Sequence, residues 1–253
     1  MKSLHKALDV LELFIESEEE VDLSELAKKS GYDKTTVNRI TSCLIKRGYL
    51  KQKVKRGKYS LGMKFLDYSG VIKKRSNIRT KAMPYLIKLA RHTKESIILT
   101  ILDGQFAAYN EIIPSEKAHK IVPDEGTRVP LYCTGVGKIF LSAMTDKEFD
   151  EYIRLANLET HTEKTISQPE YLKAHIDIVA KEGIAYEYDE YFIGIANVAT
   201  GIRDSDGKIV AAVGVLGPSL RLTLRQMKEF VPELKKCALE ISQELGYRKI
   251  KSD

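Results

Sequence analysis

Eleven basic side chains lie between Lys28 and Lys58, and the only acidic residue in that stretch is Asp33. The resulting local net charge of +10 opposes compaction of the segment that carries it. A polyanionic partner explains such a charge, because lysine and arginine neutralise phosphates and release their counterions. A lysine-rich surface that is simply solvated is the alternative. The cluster therefore predicts a nucleic-acid partner.

Two helices are predicted ahead of most of this charge. Apolar residues recur at helical spacing from Leu4 to Ile15, after Ser3, which is a suitable N-cap. Asp22 stands three residues before Glu25, the spacing of a capping box, and Gly31 is suited to end the second helix. We expect this second helix to be short.

A third helix and a hairpin would present the basic side chains. Asp33 is expected to cap the third helix, and Gly48 to end it. Residues 50–54 and 58–61 have strand character on either side of a basic turn, in which Gly57 would supply a positive φ. Two helices around a tight turn, followed by a basic β-hairpin, predict a winged helix-turn-helix.

In this architecture the third helix enters the major groove of DNA. Arg39 can then form two hydrogen bonds with guanine and Asn38 two with adenine, so both are predicted base readers. The other predicted contacts are with phosphates or the minor groove: Lys34, Thr35 and Thr36 in the first helical turn, and Lys55, Arg56 and Lys58 at the hairpin tip. Winged helices also act as protein–protein adaptors, which is an alternative function.

The composition describes two modest domains. Of the 253 residues, 43% are hydrophobic and 30% are charged, as in an ordinary folded chain. Residues 1–80 hold 18 basic and 10 acidic side chains, against 23 and 25 in the rest of the chain. The basic charge therefore belongs to the N-terminal third. We expect a DNA-binding domain over residues 1–63, a helical linker over 64–77 and a second domain over 78–253.

The expected location is the cytoplasm. No apolar stretch approaches the roughly 20 residues that span a bilayer. The first residues lead into an amphipathic segment and not into a signal sequence. Cys43, Cys133 and Cys237 are odd in number and widely spaced, so we expect free thiols and neither disulfides nor a structural zinc site.

The second domain is predicted to contain an antiparallel sheet. Residues 96–102 and 106–113 are rich in β-formers around Asp103-Gly104-Gln105, and residues 197–203 and 208–216 flank a second hairpin signal at Asp206-Gly207. Both patterns are typical of two antiparallel strands joined by a short turn.

Helices are predicted around this sheet. Their ranges are 135–143, 146–155, 169–181 with Ser167 as the cap, and 223–245. Pro84 lies in another segment with helical periodicity, residues 78–92, where it either kinks the helix or marks its first turn. The fold class of the whole chain is therefore predicted to be α+β.

The segment Thr134-Gly135-Val136-Gly137-Lys138 is the best sequence candidate for an anion site. Small residues at the start of a helix let a carboxylate approach free N–H groups and the positive end of the helix dipole. Close packing of the helix on a sheet explains the same glycines equally well.

An enzyme is the alternative from a different class. Cys133 would need a neighbouring base such as His119 or His161 to act as a nucleophile, and no spacing in the sequence supplies one. HExxH spacing, a glycine-rich phosphate loop and a GxSxG elbow are all missing from the sequence. We therefore expect no catalytic residue.

A metal site is a further alternative. Glu187, Asp189 and Glu190 could bind a metal together with His161, but a run of acids in a charged strand is more often solvated. We expect no metal site and solvated carboxylates.

Several segments resemble, in order and spacing, the isocitrate-lyase-regulator (IclR) family of bacterial transcription factors. The segments that resemble its DNA-binding half are Ser3–Leu11, Leu23–Ala27, Thr36–Arg39 and Arg47–Leu50. Those similar to its effector-binding half are Gly126–Leu131, Thr134–Lys138, Gly183–Glu190, Ala211–Pro218 and Arg221–Thr223. The resemblance covers nearly the whole chain. It implies that residues 78–253 form an effector-binding domain like GAF and PAS sensor domains, with a small-molecule pocket between the sheet and its covering loops.

The resemblance also implies a set of effector contacts. The matching positions are Val129, Gly135, Val136, Glu187, Asn197, Gly214 and Leu216, and the pocket and anion candidates Tyr132 and Thr134 lie beside them. Asn197 stands where the family often has Cys, and Gly214 and Leu216 stand where a Ser-x-Ser pair is common. A small organic or sugar acid and a more apolar or aromatic acid are both compatible with these residues.

The predicted function is that of a transcription regulator of the repressor type that binds inverted-repeat DNA. One recognition helix contacts too few bases for genomic specificity, so at least a dimer is needed. The resemblance implies pairing through the first helix and the linker, and further pairing of sensor domains into a tetramer. We expect no cofactor besides a small-molecule effector, which is predicted to be a carboxylic acid.

Overall fold

The computed structural model describes residues 2–15, 20–54, 57–68 and 77–248. The chain divides into two units, residues 1–76 and 77–253. The finer division at residues 63 and 77 stays a prediction. Residues 64–68 are helical, as expected for the start of the linker, whereas residues 69–76 lie outside the described part of the chain.

Up to residue 61, the described part of the first unit contains three helices and a two-stranded antiparallel sheet. Its elements are α1 (Lys2–Glu12), α2 (Leu23–Ser30), α3 (Lys34–Lys46), β1 (Leu50–Gln52) and β2 (Tyr59–Leu61). Val10, Leu26, Val37, Leu50 and Tyr59 come from these five elements and share one buried core. The predicted winged helix-turn-helix is confirmed.

Local hydrogen bonds explain where α2 and α3 begin. The Asp22 carboxylate accepts the backbone N–H groups of Ser24 at 2.7 Å and Glu25 at 2.9 Å. Gly31 ends α2 with a φ of 70°, a left-handed conformation that glycine adopts without steric cost. Asp33 caps α3 in the same way as Asp22 caps α2. These predicted caps are confirmed.

Helix α1 differs from its prediction. Ser3 lies inside the helix and does not cap it, and the helix ends at Glu12, before Ile15. Val10 is the buried residue of α1, whereas Leu4 is 63% and Leu8 is 48% exposed. The core of this small unit is filled by one side of the helix, so the apolar residues Leu4 and Leu8 remain open to solvent.

Gly57 does not have the predicted positive φ. Its N–H donates to the carbonyl of Val54 at 2.7 Å, and a β-carbon at position 57 would lie 2.9 Å from that oxygen. Glycine is needed here because the turn backbone approaches itself closely, and not because of a left-handed conformation.

The second unit is a six-stranded sheet between two layers of helices. Its helices are α4 (Asn77–Thr93), α5 (Gly135–Leu141), α6 (Asp146–Leu155), α7 (Pro169–Glu182) and α8 (Leu224–Glu244). Its strands are β3 (Ser96–Asp103), β4 (Phe106–Ile113), β5 (Arg128–Pro130), β6 (Ala185–Tyr188), β7 (Ile195–Arg203) and β8 (Ile209–Pro218). The strand order is β5-β4-β3-β8-β7-β6 and every pairing is antiparallel, which confirms the predicted α+β class.

Alternation along β8 builds two cores. Val213 and Val215 belong to the core beneath α4 and α8, whereas Ala212 and Leu216 belong to the core beneath α5, α6 and α7. Successive side chains of a strand point to opposite faces, so a sheet that is covered on both sides needs apolar residues at every position. This explains the continuous apolar run from residue 209 to residue 217.

Three local predictions need correction or completion. Pro84 lies in the middle of α4 and does not mark its first turn. Gln168 is the N-cap of α7, without a side-chain hydrogen bond, so the predicted cap at Ser167 is wrong. Helix α5 ends at Leu141, two residues before the predicted end. Among the described residues, no helix is long and apolar enough to cross a bilayer.

Candidate functional site

The outer face of α3 carries the predicted base readers. Thr35, Asn38, Arg39 and Ser42 are exposed, while Val37 and Leu44 are buried on the opposite side. At 100° per residue, Thr35, Asn38, Arg39 and Ser42 fall within about a third of the helix circumference. The helix therefore presents a polar stripe that can enter a groove of DNA. In the described part of the chain Arg39 forms no ion pair, so its side chain is available to contact a base.

The first turn of α3 is already occupied by a carboxylate. Asp33 accepts the Thr36 N–H at 2.8 Å and the Thr36 hydroxyl at 2.7 Å. The Thr36 hydroxyl and N–H lower the pKa of Asp33, so the acid stays ionised. Thr36 is therefore poorly placed for its predicted phosphate contact, and Lys34 and Thr35, both exposed, are better candidates.

The hairpin contributes Lys58, which is exposed. Lys55 and Arg56, the other predicted contacts of the hairpin tip, lie outside the described residues. Lys53, next to the tip, forms an exposed ion pair with Glu20 at 3.0 Å. Of the three basic residues predicted to contact DNA from the hairpin, Lys58 is the one that the structure describes.

The second unit contains a cavity of about 270 Å³ between the sheet and its covering loops. Six predicted effector residues line it: Val129, Thr134, Val136, Glu187, Asn197 and Leu216. The lining residues that sequence reasoning missed are Ile98, Tyr109, Ile121, Val122, Pro123, Thr127, Tyr191, Phe192 and Ile195. The aromatic pair at 191–192 directly follows two acids and lies shortly before a glycine, and this was the sequence signal that could have predicted part of the cavity wall.

Asn197 lies between two glycines that make room for it. A β-carbon on Gly135 would lie 2.3 Å from its Oδ1, and one on Gly214 would lie 2.6 Å from its Nδ2. Asn197 Nδ2 donates to the carbonyl of Val215 at 3.0 Å, whereas Oδ1 is buried without a hydrogen-bond partner. Gly135 and Gly214 therefore lie against the Asn197 side chain and do not line the cavity themselves.

Tyr132 does not line this cavity, and its predicted contact with an effector stays a prediction. Its hydroxyl donates to the carbonyl of Glu159 at 2.8 Å and lies 2.9 Å from Nε2 of His161. These contacts hold the ring in a separate cavity of about 330 Å³, together with Tyr152 and Phe106. Among the described residues, His161 and the acids at 187–190 do not form a group that could hold a metal ion.

Glu187 and Glu190 are buried, which corrects the prediction that these acids are solvated. Glu187 is 3% exposed, and its Oε1 has no hydrogen-bond partner among the described residues. Glu190 forms an ion pair with Lys138, which is fully buried and whose Nζ also donates to the carbonyl of Tyr186 at 3.1 Å. Burial and, to a smaller extent, the neighbouring Glu190 raise the pKa of Glu187 to about 8.

The other predicted acid, Asp189, has a structural role. Its carboxylate accepts the N–H of Gly194 at 2.8 Å and pairs with Lys164 at 2.9 Å, which fixes the loop that carries Tyr191 and Phe192 over the cavity. In the described part of the chain no three His, Cys, Asp or Glu side chains are grouped as metal ligands would be.

The three cysteines are free thiols, as expected. Cys43 is exposed on α3, whereas Cys133 and Cys237 are buried, and burial raises the pKa of both to about 12. A thiol that stays protonated at neutral pH is a poor nucleophile. Cys133 therefore lacks the property that the enzyme alternative needs.

The glycines of the Thr134–Lys138 segment serve packing. A β-carbon on Gly137 would lie 2.4 Å from the Cα and carbonyl oxygen of Leu131, and all seven residues of α5 are buried. Thr134 caps the helix, and its hydroxyl donates to the carbonyl of Pro130 at 2.7 Å. Glycine is therefore needed in this segment because α5 packs closely against its neighbours, including the backbone of Leu131.

Comparison with known proteins places both units in one family. The model of the IclR helix-turn-helix domain matches residues 3–53, and that of the bacterial transcriptional regulator IclR C-terminal domain matches residues 71–243. KipR, a helix-turn-helix transcriptional regulator of Bacillus subtilis (strain 168), is 30% identical over 246 residues, which are 97% of this chain and 98% of KipR. Further relatives are described as transcriptional regulators or repressors.

Solved structures show the same fold. The crystal structure of the Thermotoga maritima IclR has a TM-score of 0.79 and 31% identity, and the match covers 98% of this chain and all of that one. An IclR homologue from Microbacterium hydrocarbonoxydans, crystallised with 4-hydroxybenzoate, has a TM-score of 0.82 at 20% identity and is matched over 96% of this chain and 98% of its own. The relatives are regulators and not enzymes, and both units match one family over most of their length, so this chain belongs to the IclR family of DNA-binding bacterial transcriptional regulators.

Proposed function

We propose that this regulator is a repressor that binds an inverted-repeat operator as a dimer or a larger assembly and that a compact carboxylic acid in the second unit controls its affinity for that operator. The two buried, unpartnered oxygens at the cavity wall, Glu187 Oε1 and Asn197 Oδ1, carry the effector part of this proposal. Buried polar atoms without partners are rare. A protonated Glu187 can donate a hydrogen bond to a carboxylate, whereas Asn197 Oδ1 can only accept one and requires an N–H or O–H group on the ligand.

The DNA part is supported by the exposed stripe of α3. Arg39 and Asn38 are proposed to read bases, Lys34 and Thr35 to bind phosphate, and Lys58 to follow the backbone from the hairpin. Lys55 and Arg56 keep the same proposed role on sequence grounds alone.

The oligomer is supported by the exposed apolar side of α1. Leu4 and Leu8 lie one helical turn apart and are not covered by the core of their own unit. A second copy of α1 is the proposed occupant of this side, since a two-fold pair would present two copies of α3 to two half-sites.

The cavity lining favours an apolar acid over a sugar acid. Ile98, Val129, Val136 and Leu216 form much of the wall, and the polar groups are few. A polyhydroxylated acid would leave hydroxyl groups against apolar carbon, which costs free energy when no hydrogen bond is regained. A volume of about 270 Å³ suits a molecule with a single ring or a short branched chain.

The Microbacterium relative binds an aromatic acid of this kind. At 20% identity that likeness extends to the fold, so the proposal depends on the lining residues of this chain. Binding would regulate transcription only if the cavity favours one of two arrangements of the DNA-binding units.

Thermal-shift titration tests the effector class. Benzoate and isovalerate should raise the melting temperature of the full chain, whereas gluconate should not. A ligand at 100 times its dissociation constant stabilises a protein by about 2.7 kcal/mol, which is a readily measured shift. Gel shifts on DNA selected from a random library should then show a changed operator affinity with the bound acid.

Asn197→Ala is the matched variant for this experiment. It should abolish the thermal shift and the effect of the acid on DNA while leaving operator affinity in the absence of the acid unchanged. A thermal shift of wild-type size in Asn197→Ala would contradict the proposed site. Stabilisation of wild type by gluconate but not by benzoate or isovalerate would contradict the proposed effector class.

A further inference from the structure

Beneath the effector cavity, three ionisable side chains form a buried group with an unbalanced charge. Lys138 on α5 is fully buried, and its single positive charge is shared with the carboxylate of Glu190 and the carbonyl of Tyr186. Glu187 on β6 adds a second buried carboxyl group, with an oxygen that has no partner in the described structure.

One cation cannot neutralise two buried carboxylates. Leaving an unpaired charge in an apolar interior is costly, and the group instead changes its protonation state. Glu190 holds the ion pair with Lys138, so Glu187 is the carboxyl group that keeps its proton. The cluster of Lys138, Glu190 and Glu187 is then electrically neutral as a whole.

Among the described residues, the other titratable groups near Glu187 are uncharged at neutral pH. Tyr109 on β4 lies near it, Tyr191 lines the same cavity, and burial raises the pKa of both phenols above their ordinary value. The backbone N–H groups of Tyr191 and Glu190 donate to the Glu187 carboxyl group and favour its ionised form, but burial outweighs them. Cys133 before α5 stays protonated as well. His175 on α7 lies near Lys138 and is buried, which together lower its pKa to about 4, so it is uncharged at neutral pH.

We propose that Glu187 is a neutral carboxylic acid that donates a hydrogen bond to the carboxylate of the effector, so that the two groups share one proton and binding weakens when Glu187 ionises. This inference rests on the proposed function, because it assumes an acidic effector. It makes the Lys138–Glu190 pair a positioning pair: because Glu190 already pairs with the buried cation Lys138, Glu187 keeps its proton.

A neutral acid also explains how an anion could enter this cavity. No Lys or Arg lines it. An ionised Glu187 would repel a carboxylate, whereas a protonated one is a strong donor to it, since hydrogen bonds with one charged partner are roughly twice as strong as neutral ones.

The first test needs no ligand and uses thermal unfolding of the full chain and of Glu187→Gln. Because the pKa of Glu187 is raised in the folded protein, its stabilising contribution is present below its ordinary pKa of 4.5 and is lost as the pH rises through about 8. Relative to wild type, Glu187→Gln should therefore gain melting temperature between pH 5 and pH 8 and change little above that. A difference that stays constant across this range would overturn the proposal.

The second test is calorimetric titration with benzoate between pH 6.5 and pH 9.5. Wild-type affinity should fall by about 30-fold over this range, as expected for ionisation near pH 8. Glu187→Gln keeps a neutral donor, so it should bind benzoate within about threefold of wild type at pH 6.5 and show no fall. Benzamide has no charge to share, and its binding to wild type should not depend on pH in this way.

Glu190→Gln tests the positioning pair. It frees Lys138 to stabilise an ionised Glu187, so benzoate affinity at pH 7 should fall about tenfold if ionisation moves below pH 6. The exposed Glu163 is the control, and Glu163→Gln should leave every measurement unchanged. Benzoate binding to wild type that is independent of pH would overturn the shared proton and leave the effector class standing. If neither benzoate nor isovalerate binds at pH 6.5, the effector class and this inference both fail.

Discussion

Arg39 is proposed to read bases and Lys58 to bind the DNA backbone, so their substitution should separate these two kinds of contact. Arg39→Ala should cost about 1–3 kcal/mol on the operator and flatten the preference among bases, because a bidentate contact with guanine is lost. Lys58→Ala should weaken all sequences alike and lower the salt slope by about one. Both side chains are exposed and outside the core, so neither change should unfold the unit.

Gel shifts on operator and random DNA at several salt concentrations measure both effects. Equal losses on the two kinds of DNA for Arg39→Ala would refute its base-reading role. The other outcome that speaks against these roles is a selective loss on the operator for Lys58→Ala.

At the residue scale, local relations were visible in the sequence and distant ones were not. Asp22 and Asp33 could be predicted as caps because each bonds to a backbone N–H two or three residues away. The burial of Glu187 and Lys138 could not be predicted, since it depends on a helix and a strand that are about fifty residues apart in the chain. The contacts of Tyr132 could not be predicted for the same reason: its hydrogen-bond partners are Glu159 and His161.

At the element scale, the Lys138–Glu190 pair joins α5 to the loop that follows β6. Lys138→Met should lower the free energy of unfolding by about 3–5 kcal/mol, because it leaves a buried carboxylate without its cation. Adding Glu190→Gln to Lys138→Met should recover much of that loss, since both charges are then removed. Urea unfolding of wild type and of these two variants measures the differences.

The exposed pair Lys173–Asp177, at 2.6 Å, provides the control. Lys173→Met should change the free energy of unfolding by less than about 1 kcal/mol, because surface ion pairs contribute little. If Lys138→Met proves as mild as Lys173→Met, the buried pair does not hold α5 in place.

Most elements could be predicted because their signals are local. Gly104 and Gly207 both have a positive φ and mark the turns of the two predicted hairpins. Helix α6 has the predicted bounds, 146–155, because Thr145 and Glu148 form a capping box at its start. Strand β5 and the covering loops were not predicted, since a three-residue edge strand and irregular backbone have no periodic pattern.

For the whole molecule, the separation of charge predicts two different responses to salt. The N-terminal third is basic and the rest of the chain nearly balanced, so DNA affinity should fall by orders of magnitude between 50 and 200 mM salt. Benzoate affinity should change by less than about threefold, because no Lys or Arg lines the cavity. Titrating the same protein preparation with DNA and with benzoate, each at 50 and 200 mM salt, tests this contrast. A steep salt dependence of benzoate binding would place its site on the basic surface.

The distribution of the cysteines has a practical consequence. Cys43 lies exposed on α3, whereas Cys133 and Cys237 are buried and remain protonated at neutral pH. A maleimide fluorophore should therefore attach to the natural chain at one position, on the helix proposed to enter the groove. Its emission would report the arrival of a duplex and, in the same cuvette, the release that an effector causes.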